Sequence, residues 1–502
     1  MNLFTLIRSR IATPGKTFLE TGAGERLTYG DMLEWSGRVA NVLTKNGVKP
    51  GDRVAVQVEK TPENLLLYLG ALRAGAVYLP LNTAYTLAEL DYFIGDSEPA
   101  MIVCDPAKRE GLAELATRRG VANVLTLDAR GRGSLSEAVV KAPAGFADVA
   151  RADDELAAIL YTSGTTGRSK GAMLTHGNLS SNARTLVDYW RFTEEDVLLH
   201  ALPIYHTHGL FVAGNTVMLS GGSMIFLSKF DADEVMRLLP RATAMMGVPT
   251  FYTRLLRHPG LTRAACAHMR LFTSGSAPLL AETHTEFMEK TDHAILERYG
   301  MTETNMNTSN PYNGDRVAGT VGFPLPGVAL RIADPETGRE LPLGETGGIE
   351  VKGPNVFSGY WRMPDKTKAE FRSDGFFITG DVGRIDQRGY VHIVGRAKDL
   401  IITGGFNVYP KEIESEIDSL PGVIESAVIG CPHPDFGEGV TAVVVRKPGA
   451  QIDERVIIAE LEPRLAKFKL PKRVIFVDDL PRNTMGKVQK NLLREQNTKL
   501  YA

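Results

Sequence analysis

Short apolar runs alternate along this chain with longer stretches whose apolar positions recur every three or four residues. RVAVQVEK from Arg53 is followed by TPENLLLYLGALRAG in helical period and then by AVYLPL, a second apolar run. That order predicts a βαβ unit, with Gly75 near the end of the helix. Apolar runs at 101–105, 122–127, 223–228 and 244–249, separated by helical stretches, extend the pattern and predict parallel or mixed sheets covered by helices. After Gly319 the period shortens. VGFPLPGVALRIADPETG, LPLGETGGIEVKG and YVHIVGR read as strands punctuated by Gly, Pro and Asp, a small antiparallel, barrel-like subdomain over about 319–395. Beyond Arg396 a strand, a glycine turn, an amphipathic helix and further strands predict a compact α+β unit. The fold class is therefore α/β with a β-rich part and an α+β end.

Length and composition narrow the function. At 502 residues the chain can hold several cores. With 57 Lys and Arg against 59 Asp and Glu, the net charge of −2 favours neither nucleic acid nor an anionic membrane as partner. The start MNLFTLIRSRIATPG is interrupted by arginine before it could serve as a signal peptide, and no run reaches membrane-spanning length, so a cytoplasmic enzyme is expected. Cys104, Cys266 and Cys431 are too widely spaced for a disulfide framework or paired zinc ligands and are read as reduced thiols.

The densest chemistry lies in TSGTTGRSKG, from Thr162 to Gly171. Glycines let the backbone approach an anion, the hydroxyls donate hydrogen bonds and Lys170 adds charge, as a polyphosphate cradle requires. LAAIL before it reads as a strand and MLTHGNLSSNARTLVDYW after it as a helix. Ser169 precedes Lys170 instead of following it, so the P-loop pattern fails and another nucleotide chemistry is indicated.

Further motifs follow in order: LPIYHTHGLF, GVPTFYTRLL, SGSAPL, ERYGMTET, TGD, GRAKDLIITGGFNVYPKEIE and PRNTMGK. Over nearly its whole length the chain resembles the adenylate-forming acyl-CoA synthetase superfamily, and YHTHGLF, GVPTFYTRLL and YGMTETNMNTSNP look most like its malonyl-CoA synthetases. The resemblance implies an N-terminal AMP-binding domain over 1–395, a hinge at 396–398 and a mobile C-terminal lid domain over 399–502. It implies that a carboxylate attacks the α-phosphate of ATP and that CoA then displaces AMP, with Mg2+ as cofactor and small molecules as partners.

By the same resemblance Thr162, Ser163, Gly164, Thr165, Thr166, Gly167 and Lys170 would hold the outer phosphates. Gly275, Ser276 and Ala277 with Glu297, Arg298, Tyr299, Gly300 and Met301 would form the adenine slot. Thr302 would touch the α-phosphate, Glu303 would hold magnesium, Asp381 and Arg396 would receive the ribose, and Lys487 would be the principal catalytic cation, as well as a candidate for lysine acylation. Lys398 would be the hinge, and Gly404, Gly405 and Phe406 would serve the thioester step. The acyl pocket would be lined by His206, Thr207, His208, Arg254, Ser276 and Met306, with Arg254 pairing a second carboxylate. Methylmalonate, acetate or another short acid, and loading of a carrier protein, stay open as alternatives, as does a non-catalytic nucleotide- or acyl-binding protein.

Overall fold

The runs Arg53–Gln57 and Val77–Pro80 are parallel strands with Val54 beside Tyr78, joined by the helix Pro62–Arg73. Thr61 caps that helix by accepting from the Asn64 amide, and Pro62 stands where no amide hydrogen is needed. Every residue from Asn64 to Arg73 is buried, which explains why the segment carries no polar stripe. The computed structural model describes residues 1–162, 169–404, 406–483 and 486–501, without the side chain of Asn407.

Among the described residues the strands form four sheets. In the seven-stranded sheet, Leu156–Tyr161, Val77–Pro80, Arg53–Gln57, Met101–Cys104 and Asn123–Thr126 run parallel. The nine-stranded sheet carries the parallel series Thr17–Thr21, Ser223–Phe226, Val197–His200, Ala244–Gly247, Leu271–Ser274 and Leu296–Met301, then turns back through Asn305–Ser309. The motifs HTH, VPTF, GSA and TET follow the carboxyl ends of strands in that parallel series, where α/β sheets place their ligands.

Two expectations need correcting. The segment after the glycine-rich loop does not enter a helix directly: Gly171–Thr175 is a strand antiparallel to Leu156–Tyr161, and Thr175 then caps the helix His176–Tyr189 through a capping box with Asn178. The two strands are joined as a hairpin, with Thr162 N donating to the Lys170 carbonyl at 2.9 Å. Threonine and asparagine at the cap, rather than the loop itself, decide where the helix begins. The β-rich part is likewise an open four-stranded antiparallel ladder, Ala329–Ala333, Gly347–Lys352, Phe377–Ile385 and Val391–Arg396, not a barrel.

Beyond it the 3-10 turn Ala397–Asp399 leads into a sheet built on the long hairpin Val423–His433 and Gly437–Arg446. This end has a core of its own, with Ile401, Val408, Ile413, Ile417, Val428 and Val444 packed together. The three cysteines are free and buried. Among the described residues no helix is long and apolar enough to cross a membrane.

Candidate active site

Successive side chains of a strand point to opposite faces, so Leu296–Met301 sends Glu297 and Tyr299 one way and Arg298 the other. The Tyr299 hydroxyl donates to Asp381 Oδ2 at 2.5 Å. Asp381 is directly opposite Arg396 in the antiparallel ladder, and their side chains pair at 2.7 Å. This cross-strand pair holds a buried carboxylate with its charge matched. Burial first, and then the Asp381 charge, pushes the Tyr299 phenol well above its ordinary range, so it remains a donor.

Thr302 and Glu303 lie in the turn between Leu296–Met301 and Asn305–Ser309. Glu303 is buried and its carboxyl is raised by desolvation, which the Tyr360 hydroxyl and the Lys170 charge partly offset. The Tyr360 hydroxyl touches Glu303 Oε1 at 3.0 Å and Glu370 Oε2 at 2.7 Å. A phenol has one hydrogen, so it can donate to only one carboxylate at a time. Glu370 takes the shorter contact and is further held by Lys366 and Lys170, the latter at 3.1 Å, which keep it below the usual carboxylate range against its desolvation. Lys170 also lies 4.1 Å above the Tyr360 ring. Tyr360 and Glu370 were not foreseen, since no motif marks either.

On the other face of the strand, Arg298 is 3% exposed and its Nε and Nη2 have no hydrogen-bond partner. Burial lowers its value to about 9, so the guanidinium stays charged at neutral pH. Its charge depresses both His206, held near about 4 mainly by burial, and His208, so both imidazoles are neutral. His206 Nδ1 accepts from the His208 amide at 3.2 Å, and the Ser276 hydroxyl lies 3.2 Å from His208 Nδ1. His208 Nε2 and Thr207 Oγ1 are buried without partners, and Met306 is buried in Asn305–Ser309. Gly275 makes room here: a methyl at its α-carbon would fall 2.2 Å from Arg298 Nη1. Unpaired buried donors of this kind are costly and define where an anion would be welcome.

Arg254 stands apart from His206, His208 and Ser276. In the helix Pro249–Leu256 the residues Tyr252, Leu255 and Leu256 turn inward, so Arg254 is exposed. It lines a cleft of about 670 Å³ together with Pro481, Arg482 and Asn483 of the C-terminal end, a lining that includes none of His206, His208 or Ser276. Arg298, expected in the adenine slot, stands beside His206 and His208. Glu297 is buried with its carboxyl raised to about 7 by desolvation, Oε1 accepting from the Leu279 amide at 3.2 Å. Ala277 is half-buried, Ser276 has a positive φ of 70°, and Gly300 faces the Asn305 carbonyl so closely that a side chain would collide.

Lys487 reaches the same neighbourhood from the C-terminal end: Arg396, Asp381, Lys398 and Asp399 all act on its charge. Lys398 itself is exposed in the turn Ala397–Asp399. Gly404 has φ of 57° and Phe406 is 55% exposed, stacked on Phe468 at 4.6 Å. Ser163, Gly164, Thr165, Thr166, Gly167 and Gly405 lie outside the described residues. No group of three metal-ligating side chains occurs among the described residues. A lone buried Glu303 suits a hard cation that takes most of its oxygens from phosphate.

Residues 8–361 match the AMP-binding enzyme family, and residues 412–487 match the AMP-binding enzyme C-terminal domain. The crystal structure of ATP-bound MatB from Rhodopseudomonas palustris is 67% identical, covers 100% of this chain and 99% of its own, and superposes with a TM-score of 0.98. The apo form of MatB, 66% identical with coverage of 100% and 99%, gives 0.87. A feruloyl-CoA synthase of Amycolatopsis is 37% identical over 98% of both chains. A malonate–CoA ligase of Mus musculus is 35% identical over 93% of this chain and 86% of its own. With its motifs, its sheets and these matches in accord over nearly the full length, the chain belongs to the AMP-binding enzyme family, within the adenylate-forming acyl-CoA synthetases.

Proposed function

We propose that this protein joins malonate to CoA through a malonyl-adenylate, releasing pyrophosphate and then AMP. The observation that carries the reading is the buried, unpartnered Arg298 guanidinium beside two neutral histidines. A short dicarboxylate presents one carboxylate for reaction and a second for Arg298. Ferulate has no second carboxylate and would leave that charge buried and unpaired. The likeness to a malonate–CoA ligase supports the same choice.

In the first step a malonate oxygen bonds to the α-phosphorus and the bond to pyrophosphate breaks. Charge crowds at that phosphorus, and cations and donors aimed there lower the barrier without any protein nucleophile. Lys487 and the Thr302 hydroxyl serve the α-phosphate, Lys170 the outer phosphates, and Asp381 with Arg396 the ribose hydroxyls, beside a base stacked on Tyr299. In the second step the CoA sulfur bonds to the acyl carbon and AMP leaves. The turn at 396–398 is the hinge between the two arrangements of the C-terminal end, with Gly404 and Phe406 taking over from Lys487.

Glu303 would hold magnesium, which supplies charge neutralisation of the phosphates. Because burial raises the Glu303 carboxyl, a proton competes there with a cation. Apparent magnesium affinity should then fall as pH drops through the raised Glu303 value, and Glu303→Gln should flatten that dependence. Magnesium titrations of pyrophosphate exchange at acid and neutral pH measure it; an equal slope in both proteins removes Glu303 from the metal.

A panel of short mono- and dicarboxylates, assayed for AMP release with and without CoA, tests the assignment itself. Malonate should be preferred, with steady AMP release only when CoA is present. ADP as product, or a monocarboxylate as best substrate, would overturn it.

A further inference from the structure

The LPIYHTHGLF segment does not continue into a regular α-helix but winds as a π-helical turn, His208–Gly214, between the strand Val197–His200 and the helix Asn215–Ser220. Such turns place side chains where an α-helix could not, and they need support from outside. Here the support comes from the other large sheet. Lys60, in the turn between Arg53–Gln57 and the helix Pro62–Arg73, is buried and places Nζ 2.8 Å from His200 Nδ1 and 2.8 Å from the His200 carbonyl. It also lies 4.2 Å over the Phe226 ring. None of the ion pairs among the described residues involves Lys60.

The line continues on the far side of the imidazole, where His200 Nε2 is 2.8 Å from the Gly209 carbonyl. A carbonyl can only accept, so the Gly209 oxygen requires the hydrogen on Nε2, and this leaves Nδ1 bare to accept from a Lys60 N–H. That hydrogen then points at the Gly209 oxygen. With the other tautomer two lone pairs would face each other. Gly209 is also wedged against Pro203, whose carbonyl would be 2.1 Å from an added methyl, so the carbonyl it offers to His200 has little freedom. Next to it stand His208 and Thr207, the pocket groups with unpartnered atoms.

We propose that Lys60 is a positioning residue for the acid pocket, which it holds through His200 and the Gly209 carbonyl so that His208 and Thr207 meet the substrate in one geometry. The proposal rests on reading that pocket as the acid site, but not on malonate being the acid. Burial lowers both Lys60 and His200 well below their ordinary values.

The test compares wild type, Lys60→Met and the double variant Lys60→Met with His200→Gln, using whichever acid wild type prefers. Lys60→Met should raise the KM for the acid roughly 10- to 100-fold, the usual scale for losing one directed buried hydrogen bond, with kcat and the KM for ATP within about threefold. In the double variant the glutamine amide donates to the Gly209 carbonyl without needing Lys60, so the acid KM should return to within about threefold of wild type. An unchanged acid KM in Lys60→Met, or a uniform loss that the glutamine does not rescue, overturns the proposal. If Lys60→Met does not fold by thermal melting, His200→Gln and His200→Met in the presence of Lys60 decide it: the first should keep the acid KM and the second raise it, and equal behaviour overturns it. A wild type that rejects malonate would sink the functional reading while leaving this comparison intact.

Discussion

Lys487→Ala should slow adenylate formation roughly 10²- to 10³-fold, the loss seen when one preorganised donor to a developing charge is removed, and leave thioester formation from synthetic malonyl-adenylate within a few fold. The expectation comes from how the lysine is mounted. Its amide donates to Asn483 Oδ1 at 3.0 Å and its carbonyl accepts from the Asn483 amide at 2.9 Å, while Arg482 holds the Gly486 carbonyl at 2.7 Å and pairs with Glu425. A braced backbone aims a flexible side chain. Burial, then Arg396 and Lys398, push the ammonium down to about 8, against the pull of Asp381 and Asp399. It is charged at neutral pH, and raising the pH removes the charge. The kcat/KM for pyrophosphate exchange, which reports the free enzyme, should therefore fall above about pH 8 in wild type. Thioester formation should lack that limb. Equal losses of both half-reactions in Lys487→Ala would make the residue structural.

Arg298→Met should lower kcat/KM for malonate by about two to four decades, because removing one partner of a buried charge pair typically costs roughly 3 to 5 kcal/mol. Acetate and propionate carry no second carboxylate and should lose little, so the ranking of acids, not the total rate, reads the role. Methionine keeps much of the volume and leaves Gly275 unobstructed. Arg254→Ala, in the exposed cleft, should keep the ranking of wild type. A parallel loss of malonate and acetate in Arg298→Met would assign Arg298 to the adenylate or to the fold.

The contrast between those two arginines indicates how far sequence could reach. Motifs and their order carry the nucleotide groups because each turn follows the carboxyl end of a strand whose apolar run is plain. Arg254 drew attention as a cation after an apolar stretch, yet in FYTRLL the inward positions 252, 255 and 256 leave 254 facing out. Arg298 was grouped with its neighbours in ERYGM, although strand alternation alone separates it from Glu297 and Tyr299. Both signals were local and available. The hairpin after the phosphate loop could be read from β-alternation in GAMLT and the Thr175 cap, but helix-compatible residues on both sides obscured it. The Tyr360–Glu370 contact was out of reach, since it joins the Gly359–Tyr360 edge strand to a short helix and depends on tertiary packing. The Lys60–His200 contact likewise spans 140 positions and two sheets.

The cross-strand pair of Asp381 and Arg396 has a further consequence for timing. Around it Lys398 and Lys487 join Arg396, and the acids acting on these cations are Asp381, Asp399 and Glu303. A polyanion bound beside Lys487 and Lys398 would add attraction to the docked arrangement. By linkage, whatever anion binds only the docked form tightens it in proportion to its own affinity, and loses that grip when it leaves. Pyrophosphate carries away most of the negative charge of ATP at the moment adenylation ends. On the proposed two-step reading, loss of pyrophosphate would loosen the docked arrangement once adenylation is complete.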